Sequence, residues 1–495
     1  MFHLSTSRRS KFVSTVVLLL LATPGWTRVL LRWTQPAIPT AASLGVSDLV
    51  IPIDAEALIK SAHGQGYRVY AEVPIAKVST RSSASPTNDL AGIILDPGDG
   101  SPTRIDEALR ALRSSYPGLP VAVLDARAKQ PQMKGQLVIK RDGILQVTSP
   151  TAQPWIDSNL ALVRLDQAFR PEQTPLYEFR WDLSDSLQQE QGPDAADYLL
   201  AVAEAAAFHS DLVLDLHPKL EAGMLQHDAA AWSVMNKIKP YLAFSSEAAR
   251  DAHEPVANVG VITDSFRDSY EPVNLLARHN IPFLVLTTSD VKPHSLDGFD
   301  LLVIFTTADG RTNEQTITAI TDFANRGGTA VLVGARGAYP WQSSPPTPSG
   351  QHAVSYISGK GRIIELAEPV TDPETFAQDI RRLLDKADNA NAPGQDAAPI
   401  SLWNALTTVA VPYRVSAGGE EVIELVNYAQ EALRVQVKVK GSFTSIRYET
   451  PEKGCCEPLT PVLREGFTEF VVPSLYIAGR VHLAGGKAPL KAEGK

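Results

Sequence analysis

LYEFRWD (residues 176–182) and DLVLDLH (residues 211–217) decide how this chain is read. Successive side chains of a strand point to opposite faces. In the first segment Glu178, Arg180 and Asp182 share one face, and Tyr177, Phe179 and Trp181 share the other. In the second, Leu212, Leu214 and Leu216 face one way, and Asp211, Val213, Asp215 and His217 face the other. Each segment has one apolar face and carries acidic residues toward its C-terminal end. The same ending recurs upstream, with Asp54 in LVIPID, Glu72 in RVYAEV, Asp96 in AGIILD and Asp125 in PVAVLD. In a parallel β/α barrel those ends converge on one mouth, where such enzymes do their chemistry. A ring of carboxylates there points to sugar chemistry or cation binding.

Strands alternate with amphipathic helices across residues 43–252. The predicted strands are Leu49–Asp54, Arg68–Val73, Ala91–Asp96, Pro120–Asp125, Ile144–Thr148, Leu176–Asp182, Leu212–Leu216 and Tyr241–Phe244. Helical spacing covers 55–65, 104–114, 159–169, 194–209 and 229–239. Eight strands with helices between them predict an irregular (β/α)8 barrel. The irregularity lies at 74–90, which is Ser/Thr-rich without a helix, and at 126–143, which reads as a β-excursion. Alternation restarts over 256–385, predicting a doubly wound Rossmann-like domain. Its helix over 314–326 stops at Gly327-Gly328. Residues 386–399 (KADNANAPGQDAAP) read as a linker. Short alternating strands without a helix then predict a small antiparallel β-sandwich over 400–484, and 485–495 reads as a disordered tail.

A chain of 495 residues exceeds one core. A net charge of −9, with no basic tract interleaved with aromatics, argues against a nucleic-acid partner. Arg8, Arg9 and Lys11 precede an apolar run, Phe12 to Ala22, and Pro24-Gly25 follows. That layout predicts export, with residues 1–40 as a signal peptide or N-terminal anchor, cut or retained between about residues 22 and 40. Membrane anchoring through this segment and homo-oligomerisation are both compatible with the sequence. The only cysteines, Cys455 and Cys456, are adjacent, and read as a loop feature with a vicinal disulfide as the lesser alternative. No Cys/His cluster marks a metal site. No GxGxxG follows the first strand of the second domain, and no cysteine precedes Cys455 to serve as a glutaminase nucleophile. No metal and no cofactor is expected.

The passages GFDLLVIFTTADG (298–310), ANRGGTAVLVG (324–334), SGKGRIIEL (358–366) and EEVIELVNYA (420–429), in this order of domains, resemble multidomain glycoside hydrolases of the family-42 β-galactosidase type. The resemblance implies a barrel, a glutamine-amidotransferase-like domain that is catalytically empty here, and a C-terminal β-sandwich. It also implies a carbohydrate partner. The chain departs from the family's pattern in lacking an Asn-Glu pair at a fourth-strand end.

The catalytic candidates are therefore Asp182 or Glu178, partnered by Asp215, Asp125 or Asp96. Trp155, Asp157 and Asn159 in PWIDSN offer a stacking ring and hydroxyl partners, although Asp157 or Ser158 could simply cap the following helix. Arg180, His217, Glu72 and Asp54 complete the substrate-binding candidates. Two functions fit: an exported glycoside hydrolase using a pair of barrel carboxylates, or a non-catalytic carbohydrate-binding or scaffold protein on the same architecture.

Overall fold

A computed structural model describes residues 28–78, 87–134, 138–141, 144–147, 155–181, 190–248, 253–292, 294–306, 312–349, 353–387, 398–415, 419–429, 431–464 and 466–485. The expected linker and tail, and the Phe12–Ala22 run, lie largely or wholly outside these residues.

The barrel strands are β1 (Val29–Arg32), β2 (Asp48–Pro52), β3 (Arg68–Pro74), β4 (Gly92–Asp96), β5 (Val121–Val123), β6 (Leu176–Phe179) and β7 (Asp211–Asp215). They form one parallel sheet in the order β6-β7-β1-β2-β3-β4-β5. The ends meet where Asp125, just past β5, bridges Tyr177 of β6 and donates its N–H to the Leu176 carbonyl at 2.7 Å. The sheet thereby curls into an irregular barrel. One residue from each strand path, Leu30, Val50, Tyr70, Ile94, Leu124, Leu176 and Val213, fills its centre.

Three strand assignments differ from expectation. Ile144–Val147 pairs with Val138–Arg141 in a separate hairpin, which carries the β-excursion past its expected end at 143. Tyr241–Phe244 lies in the helix Ala229–Ala248. Its apolar residues pack against the barrel at helical spacing, which a four-residue window cannot tell from a strand. The missing strand is β1, which begins at residue 29, inside the segment expected as signal or anchor and ahead of the expected barrel start at 43. Arg28 marks the upstream limit of the described barrel: its N–H donates to Asp211 Oδ1 at 2.8 Å.

The second domain carries a seven-stranded sheet. Phe283–Leu286, Val259–Ile262, Leu301–Phe305, Thr329–Val333 and Gly361–Leu366 run parallel in that order, and Ala353–Ser358 and Thr347–Pro348 add an antiparallel edge. The strands LLVIF and TAVLV are buried throughout, as a sheet covered on both faces requires. Gly361 sits against the Gly328 carbonyl where no Cβ would fit, which explains the glycines of SGKGR. The sandwich stacks a six-stranded on a four-stranded antiparallel sheet. Its six-stranded sheet recruits His253–Pro255, from the junction between the first two domains, as an edge strand on Thr408–Val415. Cys455 and Cys456 are joined by a disulfide and lie on the strand Gly454–Leu459 rather than in a loop.

All three domains meet around Tyr413. Its hydroxyl donates to the Ala207 carbonyl at 2.7 Å and accepts from Arg164 Nη2 at 3.1 Å, both on barrel helices. Its ring stacks on His209 at 3.9 Å. Asn280 of the second domain donates to the Thr408 carbonyl at 2.9 Å and accepts from the Ala410 N–H at 2.8 Å, tying that domain to the same strand.

Glu204, on the barrel helix Ala195–Phe208, is wholly buried at this junction. It accepts from the Tyr428 hydroxyl at 2.6 Å and from Asn159 N and Nδ2 at 3.0 and 2.8 Å. Burial pushes its carboxyl up to about 7, although these hydrogen bonds pull the other way. A folded-state value above the unfolded one favours the native state below the unfolded pKa, and this advantage is lost as pH rises through about 7. The loss amounts to about 3 kcal/mol. The melting temperature should therefore fall between about pH 5 and pH 8. Glu204→Gln should flatten that fall, and differential scanning calorimetry of both proteins across the range checks it.

Candidate functional site

The barrel interior is built in layers by alternation along its strands. Leu30 and Arg32 of β1 stand beside Val213 and Asp215 of β7 in register, and Arg28, just ahead of β1, meets Asp211. The middle pair belongs to the apolar centre, and the outer pairs put charge at each end.

At the N-terminal end Arg28 Nη2 meets Asp211 Oδ2 at 2.7 Å, and Arg68 Nη2 meets Asp48 Oδ2 at 2.5 Å. Arg28 Nη1 also donates to the Tyr70 hydroxyl at 2.9 Å. A cavity of about 1430 Å³ opens beside these groups. It lies at the end opposite the one where parallel barrels place their chemistry.

At the C-terminal mouth Arg32 is buried among three carboxylates. Its Nε donates to Glu72 Oε2 at 3.1 Å, with a second bond between Nη2 and Glu72 Oε1. Its Nη1 lies 2.7 Å from Glu178 Oε2 and 3.3 Å from Asp215 Oδ2. Arg180 approaches from the solvent side, 3.2 Å from Glu178 Oε2 and 3.5 Å from Asp215 Oδ2. Burial works against the Arg32 charge, but Glu72, Glu178 and Asp215 outweigh it and hold the guanidinium above its usual range. Because Glu178 and Asp215 contact one nitrogen, their nearest oxygens lie within about 6 Å of each other.

Glu221, on the helix Pro218–Leu225 that follows β7, is buried beside this cluster. It accepts from Thr34 N and Oγ1 at 3.2 and 2.6 Å and from Gln35 Nε2 at 3.4 Å. Burial pushes its carboxyl up, those donors pull it down, and the charge of Asp215 adds to the rise.

Of the residues expected at the site, Glu72, Glu178, Arg180 and Asp215 come together. Asp96 is in phase with the mouth, but its Oδ1 accepts from Gly98 N at 3.0 Å to form the turn after β4. Asp54 is exposed past β2 and pairs with Lys77 at 2.6 Å. Asp125 does not join the mouth. Leu124 takes the interior position, so Asp125 points outward and pairs with Arg127 at 2.6 Å and Arg170 at 3.7 Å. Asn159 is wholly buried, its side chain holding Lys129 N and O at 2.8 Å each, and Asp157 is likewise buried. Burial removes both from substrate contact. His217 caps its helix, its Nδ1 accepting from Lys219 N at 3.3 Å. Trp155 lies on a short strand, and its side chain falls outside the described residues, as does Asp182. Sequence reading missed Arg32, Arg28, Glu204 and Glu221. Arg28 and Arg32 carried a usable signal: RVLLR (28–32) is the charge complement of DLVLD (211–215) at identical spacing.

Removing Arg32 would take the guanidinium from Glu72 and leave Glu178 and Asp215 with Arg180 alone, in a confined space. Arg32→Leu should cost about 3–5 kcal/mol, the usual penalty for breaking a buried pair on one side. Arg180→Ala should cost no more than about 1 kcal/mol, since Arg180 is 48 % exposed. Chemical denaturation of the two variants checks the order, and equal losses would remove Arg32 from its central role.

No family model matches the chain, and no curated protein matches it. Among solved structures, it is similar to α-L-fucosidase isoenzyme 2 from Paenibacillus thiaminolyticus, with a TM-score of 0.55 and 13 % identity over 93 % of this chain and 100 % of that one. It is also similar to a β-galactosidase from Rahnella sp. R3, with a TM-score of 0.51 and 11 % identity over 88 % of this chain and 95 % of that one. At such identities the likeness is one of fold, and the fold is the architecture of multidomain glycoside hydrolases.

Proposed function

We propose that the chain is an exported hydrolase of glycosidic bonds, working at the barrel mouth. The observation that carries this reading is the convergence of Glu72, Glu178 and Asp215 on Arg32 at the C-terminal end of a parallel barrel. Glycoside hydrolysis needs two carboxylates flanking the scissile bond, about 5–5.5 Å apart for retention and about 6.5–9.5 Å for inversion. Glu178, fixed by the shorter contacts to both guanidinium groups, suits the nucleophile or base. Asp215, more loosely held, suits its partner. Arg180, at the solvent side, is the donor that a sugar hydroxyl would meet first. The second domain lacks a nucleophilic cysteine and serves as scaffold, in the manner of a catalytically empty amidotransferase-like domain.

A second reading, a non-catalytic carbohydrate-binding protein, draws support from the same geometry. Each of the three carboxylates already has a guanidinium partner, so the cluster can hold the strands and a ligand without turning a substrate over.

Screening purified protein against aryl glycosides and polysaccharides decides between them. Under the hydrolase reading, Glu178→Gln and Asp215→Asn each lower kcat by at least about 100-fold in a protein that still melts cooperatively. Glycan binding without turnover would favour the second reading. Full turnover in both variants would take the chemistry away from the mouth.

Export is part of the proposal. The basic-then-apolar layout at Arg8 to Ala22 supports it, and the described residues contain no helix long and apolar enough to cross a membrane. Because β1 belongs to the barrel, any cleavage should fall before Arg28 rather than as late as residue 40. Cell fractionation with N-terminal sequencing checks this, and protein confined to the cytosol with Met1 retained would refute export.

A further inference from the structure

The four-stranded sheet of the sandwich has a solvent-facing side with a composition of its own. Ile400, Leu402, Val435, Val437, Val439, Phe470 and Val472 turn inward to the sandwich core or its margin. The alternate residues turn out. Across the sheet Trp403 pairs with Gln436 and Gln436 with Val471; Ser401 pairs with Lys438, Lys438 with Glu469 and Glu469 with Val462; Lys440 pairs with Phe467 and Phe467 with Arg464. Trp403 is 42 % exposed, an unusual state for the largest apolar side chain, and Val462 is exposed as well. Lys438 Nζ stands 4.2 Å over the Phe467 ring. A cavity of about 400 Å³ lies on this side, bordered by Arg434, Gln436, Glu457 and Glu469.

The charge of this face is opposite to that of the chain. Arg434, Lys438, Lys440 and Arg464 outnumber Glu457 and Glu469, whereas the whole chain carries −9. Segregated charge of this kind selects a partner of the other sign. An exposed indole beside hydrogen-bonding side chains suits the apolar face of a sugar ring with its hydroxyls at the rim. Together they specify a glycan that is anionic. The acidic remainder of the protein weighs against a polyanion as dense as DNA, with a charge every ~1.7 Å.

We propose that this face is a second carbohydrate site, distinct from the barrel mouth, that binds a carboxylated polysaccharide. Trp403 is the platform, Gln436 meets hydroxyls, and Arg434 with Lys438 and Lys440 meets the carboxylates. It would hold the chain on a polyuronate whatever the barrel does.

Affinity electrophoresis of the full chain tests this, in gels containing polygalacturonate, a sulfated galactan or a neutral galactan, at low and high salt. Polygalacturonate should retard the protein at low salt, and high salt should abolish the effect, as screening requires. Trp403→Ala and Arg434→Glu should each weaken retardation by about tenfold, with unchanged melting and unchanged turnover of any small aryl glycoside. Glu178→Gln should be retarded like the parent, which separates failure here from failure at the mouth. Four results would overturn the proposal: no retardation by polygalacturonate, equal retardation by neutral galactan, stronger retardation by the sulfated polymer, or retardation indifferent to both sandwich substitutions. Self-association lost in both variants would instead make the face an interface between copies, and would equally overturn it.

Discussion

A guanidinium buried in the mouth of a parallel barrel is the constraint on which this structure turns. Taking such a charge out of water costs several kcal/mol unless other charges meet it at close range. Arg32 is met by Glu72 from β3, Glu178 from β6 and Asp215 from β7, so strands distant in sequence are bound to one cation. The register follows. Slipping β7 by one residue along β1 would turn Asp215 outward and bring Leu214 or Leu216 against the guanidinium. The second pair, Arg28 with Asp211, fixes the same register at the other end. Between the two lies an apolar plug in which Leu30 and Val213 are neighbours. Charge at both ends and hydrocarbon between specify one alignment, where hydrocarbon alone would tolerate several.

The other domains are held by a few polar groups in an otherwise apolar contact. Tyr413, Asn280 and Glu204 each hydrogen-bond across a domain boundary. Buried polar groups are costly when unpaired, so these define how the domains fit rather than merely adding to the adhesion. The recruited strand His253–Pro255 acts in the same direction, because it makes the sandwich depend on chain leaving the barrel. The domains are therefore separate in topology but joined in packing, and one apolar core runs through residues of all three.

How much of this was legible in the sequence depended on whether the signal was periodic. The inward phase of Glu178 and Asp215 was readable because Tyr177, Phe179, Leu212 and Leu214 declare the outer face. The phase of Asp125 was not. Val121, Val123 and Asp125 share the outer face, but Ala122 and Leu124 make the inner face apolar as well, so neither face stood out. A strand covered on both faces has no polar side to betray its orientation. β1 was hidden for another reason: it follows the apolar run Phe12 to Ala22, and the stretch from Val29 to Trp33 reads as its continuation. The burial of Asn159 and Glu204 could not be read at all, because Asn159 is held by Lys129 and Glu204, and Glu204 by Tyr428, more than two hundred residues further on.

The two ends of the barrel differ in a way that separates architecture from chemistry. At the N-terminal end Arg28 and Arg68 face Asp211 and Asp48, two charges of each sign, and the set is neutral. At the mouth Arg32 and Arg180 face Glu72, Glu178 and Asp215, and one negative charge is left over. Holding strands in register does not call for that excess, as the opposite end demonstrates with a balanced set. A surplus carboxylate in a confined site suits a partner that carries or develops positive charge, and the sugar ring does so as a glycosidic bond breaks. Arg180 is the movable part of the balance. If a substrate hydroxyl drew it outward, Glu178 and Asp215 would each lose one of two guanidinium contacts while Arg32 stayed in place. Under the proposed hydrolysis, the local negative potential would then rise at the scissile bond. On that reading Arg32 serves the fold and Arg180 the occupancy of the site, and the difference in their exposure is the physical basis for the distinction.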